Sequence, residues 1–224
     1  MLIQNKIPKE DLDYILEPFK EEDNKEEDNK QIISDIIIAI VRDANGNIID
    51  KREQKMRSLT QYYLALMSIP LLGTYSSPSS TTATDIMTNV LGLPSQQSIS
   101  GAYSVFMTFD TQIQLGSGTQ SFSPTLNSLN APISNGSGTG QLIYYSQSVL
   151  YTSNSISEIL TVSNSSGNTI TVSEIGLMGY IYIVYAANSW NTYNYLFSYD
   201  TFSSPISIPN GGSASFQIVI TFSG

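Results

Sequence analysis

The sequence predicts a mainly β protein, a jelly-roll-like antiparallel β-sandwich that follows an N-terminal segment of helices and a hairpin. Short apolar or alternating segments recur at sandwich-like intervals in the second half of the chain. Turns rich in Gly, Pro and Asn separate these segments. Charge divides the chain as well, because all ten Lys and Arg residues lie between Lys6 and Arg57.

This charge break predicts two parts, a charged docking segment at residues 1–73 and an uncharged sandwich domain at residues 74–224. The second part holds only five acids, and it is expected to fold alone in a chain that begins near Gly73. Its surface must then be covered by Ser, Thr, Asn, Gln and Tyr. Such a surface keeps its charge state in acid, where carboxylates are protonated near pH ~4.

The N-terminal segment begins with an amphipathic pattern. Leu12, Ile15, Leu16 and Phe19 recur at helical spacing and predict a short helix. An exact repeat of Glu-Glu-Asp-Asn-Lys follows at residues 21–30 and indicates a solvated linker or a marginal helix.

Two further elements precede the predicted boundary. The β-branched run before Asn45-Gly46 predicts a hairpin over residues 32–52, because an Asn-Gly pair between apolar runs favours a tight turn. Ser58 and Gln61 then fit a capping box, so a helix packed on the sandwich is expected after Ser58.

The sandwich strands are expected from apolar and alternating runs. They lie at residues 103–109, 112–115, 142–151, 156–162, 169–174, 177–186, 193–199 and 213–222. The last run alternates well, with Ala214, Phe216 and Ile218 on one face. Residues 164–168 are interpreted as a hairpin loop and residues 209–212 as the turn into the final strand.

A long uncharged loop at residues 116–140, rich in Gly, Ser and Asn, favours assembly or recognition over chemistry. Asn135 and Asn164 each begin an Asn-X-Ser sequon, which marks an acceptor only in chains that meet the glycosylation machinery.

Composition excludes several classes of chemistry. The chain has no His and no Cys, so a Ser-His-Asp triad, a Cys-His pair and thiolate metal sites are impossible. We expect no catalytic residue, no metal and no cofactor, although a pair of acids performing glycosidase chemistry stays open. The second part lacks the cations that nucleic-acid binding needs. The longest apolar runs are too short or too interrupted for a membrane span.

Aromatic residues gather near one predicted loop, at residues 188–194. Trp190 lies there beside Tyr185, Tyr193 and Tyr195. Three interpretations stay open: local core packing, contact with a neighbouring subunit, and stacking on a glycan.

Three pieces of sequence carry a family resemblance. They are VRDANGNII with RSLTQYYL at residues 41–49 and 57–64, VSNSSGNTITVSEIGL at 162–177, and YDTF with PISIPNGGS at 199–202 and 205–213. Together they resemble β-sandwich virion proteins of tailed phages and of archaeal viruses from hot acidic springs, such as portal, tail-adaptor or vertex proteins. Unlike family members that carry basic residues in the second and third pieces, this chain has none there.

The resemblance implies a capsid or tail component that forms a homo-oligomeric ring and docks on other virion proteins through its N-terminal segment. The virion would be assembled in the host cytoplasm and exposed to an acidic exterior. The expected docking residues are Leu12, Ile15, Leu16, Phe19, Ile36 and Ile38. The alternative is an adhesion module that binds host glycans through Trp190 and the neighbouring tyrosines.

Overall fold

A computed structural model describes residues 32–56, 59–60, 107–186 and 189–223 of the chain. These residues form β-strands and loops, with no helix among them. The strands are β1 (Ile32–Arg42), β2 (Ile48–Lys55), β3 (Met107–Gly116), β4 (Ile143–Tyr144), β5 (Ser148–Tyr151), β6 (Ser155–Ser163), β7 (Ile170–Ala186), β8 (Ser189–Ile208) and β9 (Ser213–Ser223). The predicted mainly β class is confirmed.

The strands form two antiparallel sheets. Sheet A has the order β2-β1-β9-β6, and the short strands β4 and β5 both pair with the remaining edge of β6. Sheet B has the order β3-β7-β8. The chain passes from one sheet to the other several times. Its last strand, β9, lies between β1 and β6 in sheet A.

The two sheets share one apolar core. Alternate residues of a strand face opposite sides of its sheet, and one set of each sheet is buried against the other. Ala214, Phe216 and Ile218 of β9 belong to this core, which confirms the predicted alternation. Phe216 meets Phe202 of sheet B with the ring centroids 6.1 Å apart.

The predicted hairpin at residues 32–52 is confirmed as β1 and β2. Gly46 adopts a φ of +86°, which glycine tolerates without strain. The Asp43 carboxylate accepts the backbone N–H groups of Asn45 and Asn47, each at 2.9 Å. The hydrogen bond from the Asn47 side chain is the largest cause that lowers the Asp43 pKa. Asp43 thus stabilises the turn in its ionised form.

The hairpin is part of the sandwich. β1 pairs with β9 along its whole length, from Ile32 opposite Ser223 to Arg42 opposite Ser213. Residues 32–55 therefore belong to sheet A and not to a separate docking segment, which corrects the predicted division for the hairpin. The helices expected from Leu12 to Phe19 and after Ser58, and the linker at 21–30, lie outside the described residues.

Several predicted strands merge. Residues 103–109 and 112–115 were expected as two strands, yet the described part forms the single strand β3. Residues 169–174 and 177–186 likewise join in β7, because its glycines do not end the strand. A Cβ atom at Gly179 would overlap the Phe197 ring, so this glycine makes room for a side chain of β8. Residues 142–151 divide instead, into β4 and β5.

The sequence predicts a hairpin loop at residues 164–168, and this prediction is wrong. The link carries the chain from β6 in sheet A to β7 in sheet B. Turn composition predicts a reversal of the chain, but the partners of the two strands depend on distant pairing. β8 and β9 also lie in different sheets, so the link at 209–212 is a second crossing.

Asn164 joins these two crossings. It is 1% exposed. Its Nδ2 donates to the carbonyl oxygens of Asn168 at 2.7 Å and Ile208 at 2.8 Å. Its Oδ1 accepts from the backbone N–H of Ser166 at 3.0 Å and from the Ser166 hydroxyl at 2.8 Å. All polar atoms of this buried amide are used inside the fold.

Candidate functional site

Two uncharged features of the sandwich are candidate recognition surfaces. Residues 111–157 contain no charged side chain. This stretch includes a long loop at residues 117–141, which we call the covering loop, and the strand β5 at the edge of sheet A. The covering loop corresponds to the loop predicted at 116–140.

The covering loop is held by a buried carboxylate. Glu174 of β7 is fully buried. It accepts the backbone N–H of Asn130 at 3.1 Å and that of Ala131 at 2.7 Å. A Cβ atom at Gly116 would overlap the Glu174 side chain, so the glycine that ends β3 makes room for this anchor.

The position of Glu174 in the sequence is itself a signal for this anchor. Glu174 lies in a buried apolar strand, within a region that has no Lys or Arg. A buried carboxylate needs hydrogen-bond donors, and backbone amides of a Gly- and Asn-rich loop can supply them.

Tyr199 provides a second attachment. Its hydroxyl oxygen accepts the backbone N–H of Gln120 at 2.9 Å and donates to the Gln120 carbonyl oxygen at 3.1 Å. Desolvation by burial raises the Tyr199 pKa, and the nearby charges of Glu174 and Asp200 raise it further. The phenol therefore stays protonated and keeps its donor.

Apolar contacts complete the attachment of the covering loop. Leu129 is 3% exposed and packs with Met178, Leu196 and Tyr199 in a cluster separate from the main core. The loop thus lies on the face of sheet B that points away from sheet A. It presents Phe122, 40% exposed, among uncharged polar side chains. A fixed loop of this kind offers a recognition surface at little cost in conformational entropy.

Strand β5 forms the second candidate surface, which we call the β5 edge, made of Tyr145, Val149, Tyr151 and Ile156. Their exposed fractions are 36%, 41%, 73% and 37%. Tyr151 lies opposite Ile156 in the β5–β6 register, so these two residues share one face. Exposed apolar groups beside a strand edge are typical of protein contact sites.

The opposite edge of sheet A has a different character. Strand β2 presents the exposed charged residues Lys51, Glu53 and Lys55. Gln54 also donates from Nε2 to the Thr201 carbonyl oxygen of sheet B at 2.8 Å. Charged edge strands resist pairing with other chains. The two edges of sheet A therefore differ in their readiness to associate.

Of the predicted docking residues, only Ile36 and Ile38 are described, and Leu12, Ile15, Leu16 and Phe19 lie outside. Ile38 is 2% exposed and packs with Ile40 and Val219, on the face of β1 that points away from the main core. Ile36 lies partly buried at the margin of this cluster. Ile38 is thus buried within its own chain and presents no accessible docking surface.

The predicted contact aromatics lie in the hairpin of β7 and β8. Trp190 belongs to β8 opposite Val184, so the segment expected as a loop at 188–194 is strand from Ser189 onward. Tyr185 and Tyr193 are also strand residues, but their side chains lie outside the described part. Tyr195 is 7% exposed within the main core, which agrees with the core-packing alternative.

Replacing Glu174 tests the attachment of the covering loop. Glu174→Ala removes the acceptor of two backbone N–H groups, and a hydrogen bond to a charged group contributes about 1.5–3 kcal/mol. We expect the free energy of unfolding in urea to fall by roughly 3 kcal/mol or more, and chymotrypsin to cleave the loop faster at Phe122. Glu174→Gln keeps one acceptor oxygen and should lose less.

The exposed Glu53→Ala is the matched control, since its carboxylate lies on the charged edge. It should alter neither measurement beyond about 0.5 kcal/mol. Unchanged stability and cleavage in Glu174→Ala would show that the carboxylate does not hold the loop.

The described residues contain no helix long and apolar enough to cross a membrane. Comparison with protein-family models, with curated proteins and with solved structures gave no match. The family resemblance of the sequence therefore stays a prediction.

Proposed function

We propose that this chain is a virion structural protein that assembles with further copies of itself and is not an enzyme. The observation that carries self-assembly is the β5 edge, where Tyr151 is 73% exposed beside Val149 and Ile156. Interface cores are depleted of charged residues. Burying this edge removes apolar surface from water and desolvates no exposed charge.

The virion assignment rests on the sequence resemblance. The proposal also includes a jelly-roll-like fold. The repeated passage of the chain between the two sheets supports this fold class. In this proposal the sandwich forms a symmetric ring at a tail, portal or vertex. Residues 1–31, with Leu12, Ile15, Leu16 and Phe19, attach the ring to a neighbouring virion protein. The uncharged surface of residues 111–157 suits an acidic exterior.

A second candidate function is a carbohydrate-binding adhesion module. The exposed Phe122 favours it, because a fixed aromatic ring among hydroxyl and amide groups suits stacking on a sugar. Binding of the purified chain to a glycan array, lost in Phe122→Ala, would support this function.

The native mass of the full chain tests self-assembly. One chain has a mass of 24.5 kDa, so an assembly should appear in native mass spectrometry as a discrete multiple of this value. Removal of residues 1–30 leaves β1 intact and should leave the multiple unchanged. A full chain that stays monomeric at high concentration would contradict the proposal.

A further inference from the structure

The β5 edge has a sequence that is suited to pairing with itself. We propose that two copies of the chain join by antiparallel pairing of their β5 strands across a twofold axis at Leu150. This inference rests on the proposed self-assembly and adds the contact that performs it. Sheet A would then continue from one copy into the other.

Charge favours a second copy as the occupant. Most of the charged residues lie outside the β5 edge, in residues 1–57. The β5 edge lies within residues 111–157, which carry no charge, and two such edges approach without like-charge contacts. The β2 edge carries the exposed charges of Lys51, Glu53 and Lys55, and charged edge strands resist pairing with other chains.

The register of the strand places the axis at a residue of β5, and the apolar pairing across it favours Leu150. A twofold axis perpendicular to the sheet keeps each side chain on its own face, so paired residue numbers must have an even sum. An axis at Leu150 places Val149 opposite Tyr151 of the second copy, twice. An axis at Val149 would place Tyr151 opposite Gln147. The Gln147 Oε1 already accepts the Ile113 backbone N–H at 2.8 Å, which holds it against β3.

The axis at Leu150 also completes an apolar row. Tyr151 lies opposite Ile156 of its own chain, and Val149 of the second copy would cover its other side. Beyond Val149 of the second copy lies its β6 partner, Glu158. Glu158 is only 6% exposed and is buried within its own chain. The contact therefore buries the most exposed apolar side chain of the described residues, Tyr151.

A twofold contact is isologous and by itself gives a dimer. In a ring it joins subunits of two rings stacked face to face. The β5 edge is thus assigned to pairing, and contacts around a ring would use other surfaces.

Introduced cysteines test the axis cleanly, because the native chain contains none. Leu150→Cys places the cysteine opposite itself, so mild oxidation of the purified full chain should give a covalent dimer in most molecules. Val149→Cys alone should stay monomeric on a denaturing gel, since its two sulfurs belong to residues two positions apart along the strands. Cα atoms more than about 7 Å apart are not bridged by a disulfide. A mixture of Val149→Cys and Tyr151→Cys should cross-link.

Ile49→Cys is the control for random collision, because Ile49 is 52% exposed in β2, away from the β5 edge. Equal cross-linking of Ile49→Cys and Leu150→Cys would overturn the axis. Tyr151→Lys tests the contact without oxidation, because it places a charge in the apolar row. The native mass of the assembly should fall by half while the chain stays folded.

The outcomes separate this inference from the proposed function. A discrete multiple of the chain mass, with no cross-link at Leu150 and no effect of Tyr151→Lys, overturns the twofold contact and leaves self-assembly standing. A native chain that is monomeric overturns both.

Discussion

A chain shortened to begin at Gly73 should fail to form the sandwich, whereas a chain that begins at Lys30 should fold. The shorter chain lacks β1 and β2. Strand β9 then loses one of its two partner strands along its whole length, and the core loses side chains from one face of β1. This expectation reverses the one drawn from the break in composition near Arg57.

The size of the effect follows from the buried side chains of β1. Ile37, Ile38, Ile40 and Val41 are each at most 2% exposed. Burial of each such side chain contributes about 1.5–3 kcal/mol, or roughly 6–12 kcal/mol for the four. Because domains are stable by only about 5–15 kcal/mol, the loss removes most or all of the stability.

Thermal unfolding followed by circular dichroism distinguishes the two chains. The chain from Lys30 should unfold cooperatively, and the chain from Gly73 should show no cooperative transition and should bind a hydrophobic dye. A cooperative transition in the chain from Gly73 would show that the sandwich folds without β1.

Features of the fold that depend on neighbouring residues follow from the sequence, whereas pairing between distant strands does not. The Asn45-Gly46 turn and the alternation in β9 depend on neighbouring residues, and both were predicted correctly. The pairing of β1 with β9 joins residues almost two hundred positions apart, and no local pattern encodes it. The shift in charge near Arg57 is therefore not a fold boundary, because both sides of it contribute strands to sheet A.

The candidate surfaces were predicted only in part. The long loop was expected from its composition, but its attachment by Glu174 and Tyr199 depends on tertiary contacts. The sequence does not predict the β5 edge, because the apolar pattern of residues 142–151 predicts a single strand. The break at Gln147, whose side chain binds the main chain of Ile113, sets β5 apart as a short edge strand.

Asn164→Asp should destabilise the protein by about 3–5 kcal/mol, more than Asn164→Ala at roughly 2–3 kcal/mol. The alanine variant leaves the carbonyl groups of Asn168 and Ile208 without their donor. The aspartate variant also directs a carboxylate oxygen at both of these carbonyl oxygens. The carboxylate would be buried with donors at only one of its oxygens, so its desolvation adds to the cost of the lost hydrogen bonds.

The pH dependence identifies the cause of this loss. Burial favours the neutral form of a carboxyl group, so the new aspartate should have a pKa above its value in the unfolded chain. The folded state then binds the proton more tightly than the unfolded chain does. The loss of unfolding free energy in Asn164→Asp should therefore shrink as the pH falls through the raised pKa of the new aspartate. Urea unfolding at neutral pH and near pH ~4 measures the change, with Asn164→Ala as the reference for effects unrelated to the new carboxyl.

Asn135→Asp is the matched control, because Asn135 begins the other sequon and is exposed. Its Oδ1 accepts the backbone N–H of Tyr144 at 3.0 Å, and an aspartate oxygen accepts the same bond. Its stability should change by less than about 0.5 kcal/mol. If Asn164→Asp were equally mild, Asn164 would not hold the two crossings together. A large loss at Asn164 alone assigns it a structural role in the fold and leaves Asn135 as the accessible amide of the two sequons.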